Sequence, residues 1–147
     1  MYAPRVAWDP EALKQLMEEH IPFNKHLGVK ALTVTPELVE LLLPFKPEHI
    51  GDPTRKALHG GTISMLIDTA GGAVAFMNVD ENDRVSTVDL VVDYLRPGAG
   101  DIIARARVVR RGNRVITANV DVVRADDTSL AIAQGRGVYN IHRPAER

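Results

Sequence analysis

The sequence predicts an α+β fold, a sheet wrapped around one long helix, and three observations carry that reading. Ile63, Ile67, Ala70, Val74 and Met77 recur at helical spacing, which gives a helix one apolar face to lay on a sheet. After that helix the period changes to two, with Val88, Leu90, Val92 and Tyr94 alternating with Thr87, Asp89, Val91 and Asp93. Two turn signals, Gly112-Asn113 and Asp126-Asp127, then divide the remaining β-rich sequence. The resulting order is a helix, two strands, a long helix and four strands.

In order along the chain, Asp9 is an N-cap and Pro10 a first helical residue, and Leu13, Leu16 and Met17 share one apolar face. Pro22 is expected to end this helix. Strands follow at 29–35 and 38–45, split by Pro36-Glu37. A polar loop with Pro47, Gly51 and Pro53 leads into the long helix, which ends before the polar stretch 78–84. Beyond the strand around Val88, further strands are expected at 102–110, 114–123 and 129–139. The whole chain, 1–147, reads as one domain, with a helical segment over 1–22 and a core over 23–141.

Bulk properties narrow the function. A formal net charge of −1 leaves no broad nucleic-acid footprint. The absence of cysteine removes disulfides, a thiol nucleophile and thiolate metal sites. His20, His26, His49 and His142 have no ligand spacing, so no metal site is expected. No apolar run is long enough to span a bilayer, and residues 1–5 lack a signal-peptide core, so a cytoplasmic protein is expected.

The most informative stretch runs from His59 through Gly60-Gly61 to Asp68 and on to Gly71-Gly72. Gly60 and Gly61 open the long helix, where free N–H groups and the helix dipole favour an anionic oxygen. Asp68 is the one ionisable group between His59 and Asp80, set among Met65, Ile67, Ala70 and Val74. An acid there needs a partner or a use. Gly60 and Asp68 are eight residues apart, about 12 Å along a helix, so one helix cannot bring both to the same substrate atom. Two helices packed antiparallel about a two-fold axis can, and Gly71, Gly72 and Ala75 are expected to permit that close approach.

The run Ile50-Gly51-Asp52-Pro53, the His59-Gly60-Gly61 triplet with an Asp nine residues after the His, and the later Ser86-Thr87-Val88-Asp89 through Tyr94-Leu95-Arg96-Pro97 resemble hotdog-fold acyl-CoA thioesterases of the phenylacetate-degradation (PaaI-like) type. The similarity runs in register over about 23–139. It implies a hotdog fold and hydrolysis of acyl-CoA, with no cofactor. It implies Gly60 as oxyanion donor and Asp68 as nucleophile or general base, from facing subunits of a homodimer at least, the family's usual state being a homotetramer. His59, Gly61, Asp52, Thr87 and Ser86 then belong to the substrate site, Thr87 being favoured over Ser86. Asp52 stands where the family often has Asn.

Arg110, Arg111 and Arg114 around the Gly112-Asn113 turn are candidates for the coenzyme A phosphates, with Arg55, Lys56 and Arg84 as possible contributors. Each candidate also has a structural reading. Asp68 can be a dimer-bridging acid, His59 a loop cap, the glycines a tight turn and the arginines a solvated hairpin tip. Two other functions fit less well. A hotdog hydratase or dehydratase needs a His and an acid acting together. The other is a non-catalytic acyl-CoA sensor or binding module. The region before Phe23 has room for one helix only, too little for a DNA-binding segment. Tight CoA-ester binding without thiol release would mark a sensor without DNA.

Overall fold

The structure is a computed structural model describing residues 6–145. Residues 1–5, read above as lacking a signal-peptide core, lie outside the described residues. Asp9 caps the first helix, α1 (Pro10–Gln15), by accepting the Ala12 N–H at 3.2 Å. A π-helical turn, Leu16–His20, follows without a break. The first helix ends at extended Ile21, just before Pro22 as expected, and this proline has a second role. It opens a second short helix, α2 (Pro22–Leu27), which closes at left-handed Gly28. Proline lacks the N–H that a first helical residue leaves unsatisfied, so it starts a helix as readily as it stops one.

The strands are β1 (Lys30–Val34), β2 (Val39–Leu43), β3 (Ile50–Asp52), β4 (Ala57–Leu58), β5 (Arg84–Tyr94), β6 (Ile102–Arg111), β7 (Val115–Arg124) and β8 (Ala131–His142). The long helix α3 spans Gly60–Phe76. Six strands form one sheet in the order β1-β2-β6-β7-β8-β5, every pair antiparallel. The loop before α3 is more ordered than its composition suggests. It holds a 3-10 turn at Pro47–His49 and the two-stranded ribbon β3-β4.

Helix α3 lies across β2, β5, β6, β7 and β8, and the five residues at helical spacing are all buried. Ile102, Ala104, Ile116, Ala118, Val120 and Ile132 meet them from the sheet. Burying one such aliphatic side chain is worth about 1.5–3 kcal/mol, so this helix–sheet layer dominates the core. The outer sheet face is polar and carries ion pairs such as Arg105–Glu40 at 2.9 Å.

Two local expectations need correction. The β6-β7 hairpin closes through Gly112 N–H to Val115 C=O at 2.8 Å, so its central residues are Asn113 and Arg114, one step beyond the Gly112-Asn113 pair. Neither Gly112 nor Asn113 takes a positive φ. Gly71 and Ala75 do not offer a surface for a second helix; both are buried within the protomer. A Cβ on Gly71 would clash with the Tyr139 hydroxyl, so this glycine exists to let β8 approach α3.

Candidate active site

The start of α3 is held from several sides. His59 is its N-cap, and the imidazole Nδ1 accepts the Gly61 N–H at 2.8 Å. With Nδ1 accepting, a neutral His59 carries its proton on Nε2. The His59 carbonyl accepts both the Thr62 N–H at 3.0 Å and the Thr62 hydroxyl at 2.6 Å. That carbonyl belongs to the same peptide as the Gly60 N–H, so the two bonds polarise the group toward donation. The Gly60 N–H itself has no acceptor among the described residues.

Tyr94, at the end of β5, donates its hydroxyl to the Gly60 carbonyl at 3.0 Å. Its ring would lie 3.3 Å from a Cβ on Gly60, so it covers this residue closely. The sequence pattern included Tyr94 in a motif but assigned it no role. Gly60, Tyr94, Leu58, Ile63, Leu95 and Pro97 line an open cleft of about 460 Å³, with Asp52, Arg55 and Arg96 at its rim.

Asp68 sits half-buried in the middle of α3. The Thr87 hydroxyl donates to its Oδ1 at 2.8 Å. A β-bulge makes that contact: Thr87 pairs with Tyr139 and Asp89 with Val138, leaving Val88 as an extra residue, 64% exposed. Leu90 and Val92 pack on the core, so uninterrupted alternation would have turned Thr87 away from the helix. Behind Asp68, the buried Tyr139 hydroxyl donates to the Asp68 carbonyl at 3.2 Å. Burial, and then the neighbouring Asp68, push that phenol well above its usual range, so it stays a donor.

The remaining candidates are spread more widely. Ser86, next to Thr87, points elsewhere: its Oγ is 2.8 Å from Nε2 of His142, not on Asp68. Asp52 accepts the Thr54 N–H and hydroxyl at 3.0 and 2.6 Å, and pairs with Arg55 at 2.7 Å. The Thr54 hydroxyl, then Arg55, hold its carboxyl down to about 2. It is an ionised acceptor stitching its own loop. Arg111 is turned inward, with Nε 3.3 Å from the Asn78 carbonyl and Nη1 on the Gly112 carbonyl. Arg110 and Arg114 are exposed at the same hairpin, beyond the C-terminal end of α3. Seventeen residues of helix span about 25 Å, so the hairpin and Gly60 lie at opposite ends of the protomer. Arg96 bonds the Ala131 carbonyl at 2.6 Å and ties down the end of β5. No group of three or more His, Asp or Glu side chains suited to a metal occurs among the described residues.

An antiparallel sheet wrapped on one long helix is found in known proteins. The thioesterase superfamily profile matches residues 56–131. The chain is 31% identical to the medium/long-chain acyl-CoA thioesterase YigI of Escherichia coli K12, over 89% of this chain and 94% of that one. A thioesterase family protein from Silicibacter pomeroyi superposes with a TM-score of 0.83 at 25% identity, covering 92% of this chain and all of that one. A protein from Shewanella oneidensis related to the thioesterase superfamily gives 0.77 at 29% identity, covering 89% and 94%. On these likenesses the chain belongs to the thioesterase superfamily and is a hotdog-fold thioester hydrolase.

Proposed function

We propose that this enzyme hydrolyses acyl-CoA thioesters in the manner of the PaaI-like thioesterases, through a site shared between two subunits. The observation that carries the proposal is the Asp68 carboxylate, fixed by Thr87 on the half-exposed face of α3 at mid-helix. Gly60 offers its unoccupied N–H about 12 Å away along the same helix. An antiparallel second copy brings Asp68 of one subunit to Gly60 of the other.

In this reading the thioester carbonyl oxygen accepts the Gly60 N–H, and negative charge develops there as the carbonyl carbon is attacked. Asp68 either attacks that carbon itself or removes a proton from a water that does. The tetrahedral centre then expels the coenzyme A thiolate, which takes a proton from protonated Asp68 in the general-base route and from water in the direct one. In the direct route, a second water cleaves the acyl–Asp68 anhydride to the free acid. The Gly60 donor is worth about 3–4 kcal/mol of barrier, by analogy with other oxyanion donors.

Leu58, Ile63, Leu95 and Pro97 make the cleft beside Gly60 suited to an aliphatic acyl group. The name of the E. coli relative supports medium and long chains. Edge strand β5 and the half-exposed face of α3 are the surfaces for the dimer, and a homotetramer is the proposed assembly. The exposed Arg110 and Arg114, beyond the C-terminal end of α3, lie in such a dimer on the side of the partner's helix start, where a coenzyme A phosphate would be held.

The test is thiol release from short, medium, long and aromatic acyl-CoAs, with Asp68→Asn alongside. Release that is fastest for medium or long chains and falls at least about a thousand-fold in a folded Asp68→Asn enzyme is expected. Near-normal turnover in that variant sinks the assignment of Asp68.

A further inference from the structure

His49 is buried and plays no part in the chemistry above. It ends the 3-10 turn Pro47–His49, and its side chain is 2% exposed. Neither ring nitrogen has a hydrogen-bond partner among the described residues. A buried imidazole with two unpaired nitrogens is uncommon, since each such group costs desolvation that nothing returns.

Its main chain makes the position consequential. The His49 carbonyl accepts the N–H of His59, the α3 N-cap, at 2.7 Å. Two residues on, Gly51 lies flat against His59, and a Cβ there would sit 2.6 Å from the His59 Cα. The segment from His49 to Gly51 is thus the bed on which His59 and Gly60 rest.

We propose that His49 is a positioning residue for the Gly60 N–H, and that the start of α3 stays assembled only while the His49 imidazole is neutral. An imidazolium has two N–H donors and a charge, and this pocket provides no acceptor for either. The facing charges discourage protonation. Lys46 reaches over α2 to the His26 carbonyl at 3.1 Å, and both Lys46 and His26 oppose a positive His49. Glu48 alone favours one. Burial first, then Lys46, hold the His49 ring below its ordinary value. The folded state therefore binds fewer protons here than the unfolded chain, and this stability is full above about pH 6.5 and drains away as pH falls below it. Protonation is relieved by the ring leaving its pocket, which carries His49–Gly51 off His59 and unseats Gly60.

The inference rests on Gly60 as the oxyanion donor, so its test has an arm independent of activity. In the intact enzyme, the ring signals of His49 and His59 and the amide signals of Gly60 and Gly61 are followed by NMR from pH 8 to 5. Thiol release is measured over the same range for wild type and His49→Phe. The Gly60 and Gly61 amides are expected to move with the His49 midpoint rather than that of His59, and to stop doing so in His49→Phe. That variant should retain at least about five-fold more of its neutral-pH turnover at pH 5 than wild type. Amides that ignore the His49 titration, in a measurement needing no variant, overturn the proposal. So do amide shifts that persist unchanged in a folded His49→Phe enzyme. If the amides follow His49 while activity does not, the positioning role stands and the role of Gly60 as donor fails.

Discussion

The Thr87 hydroxyl stands 2.8 Å from Oδ1 of Asp68, joining the sheet's edge strand to the middle of its central helix. This bond occupies one carboxylate oxygen and orients the other. A hydrogen bond to a charged group is worth about 1.5–3 kcal/mol, so Thr87→Val should lower kcat by roughly 10- to 100-fold. Thr87→Ser keeps the donor and should stay within about three-fold of wild type. Steady-state kinetics of the two variants check this, and equal losses in both would refute it.

Tyr94 makes a weaker, neutral bond to the Gly60 carbonyl while its ring covers the same residue. Tyr94→Phe should therefore cost about three- to ten-fold in kcat with little change in Tm. Gly60→Ala places a methyl 3.3 Å from the ring and should displace it, with a larger loss of turnover than Tyr94→Phe. Kinetics and thermal melts on both proteins make the comparison.

Tyr139 packs between Gly71 and Gly137. At Gly71 the atom nearest a new Cβ is the Tyr139 hydroxyl, with the ring carbons at 2.9 and 3.1 Å. At Gly137 the hydroxyl is again the nearest atom, but two ring carbons also come within 2.5 Å. Both alanine variants should lose about 1–3 kcal/mol through overpacking. Tyr139→Phe, which removes the hydroxyl alone, should restore part of the loss for Gly71→Ala and almost none for Gly137→Ala. Urea denaturation of the single and double variants decides it.

The Asp52 carboxyl, held down to about 2 by Thr54 and Arg55, should remain ionised at pH 3. Its folded-state value lies below the unfolded one, so its contribution to stability is present above about pH 4 and is lost as pH falls through 2. Carboxyl NMR of Asp52 measures this directly. Asp52→Asn keeps an oxygen for Thr54 and gives up an exposed ion pair, so its turnover at pH 7 should lie within about three-fold of wild type. A loss of a hundred-fold would show that Asp52 acts on substrate.

Much of the candidate site is legible in the sequence. His59, Gly60 and Gly61 were placed at a helix start because a capping residue followed by glycines is a local signal. Asp68 stood out because it interrupts an apolar run. Thr87 is favoured over Ser86 by the family resemblance, not by strand alternation, since neighbouring residues on a strand face opposite ways and the bulge decides which faces in. His49 and Tyr139 gave no signal at all, because burial without a partner and packing against glycine exist only between distant segments.

The sequence by itself determined the order of the main elements, the extent of α3 and the identity of its buried face, because apolar periodicity is a property of neighbouring residues. It also determined that the acid and the helix start lie too far apart on one helix to share a substrate atom, because helical rise is constant. Tertiary structure decided the rest. Pairing between β5 and β8 placed the bulge at Val88 and turned Thr87 onto Asp68. The approach of β8 to α3 used Gly71 within the protomer, where the sequence had suggested a surface for a second helix. These outcomes depend on strand register and on which backbone comes nearest, and such quantities arise only when residues far apart in the chain are brought into contact.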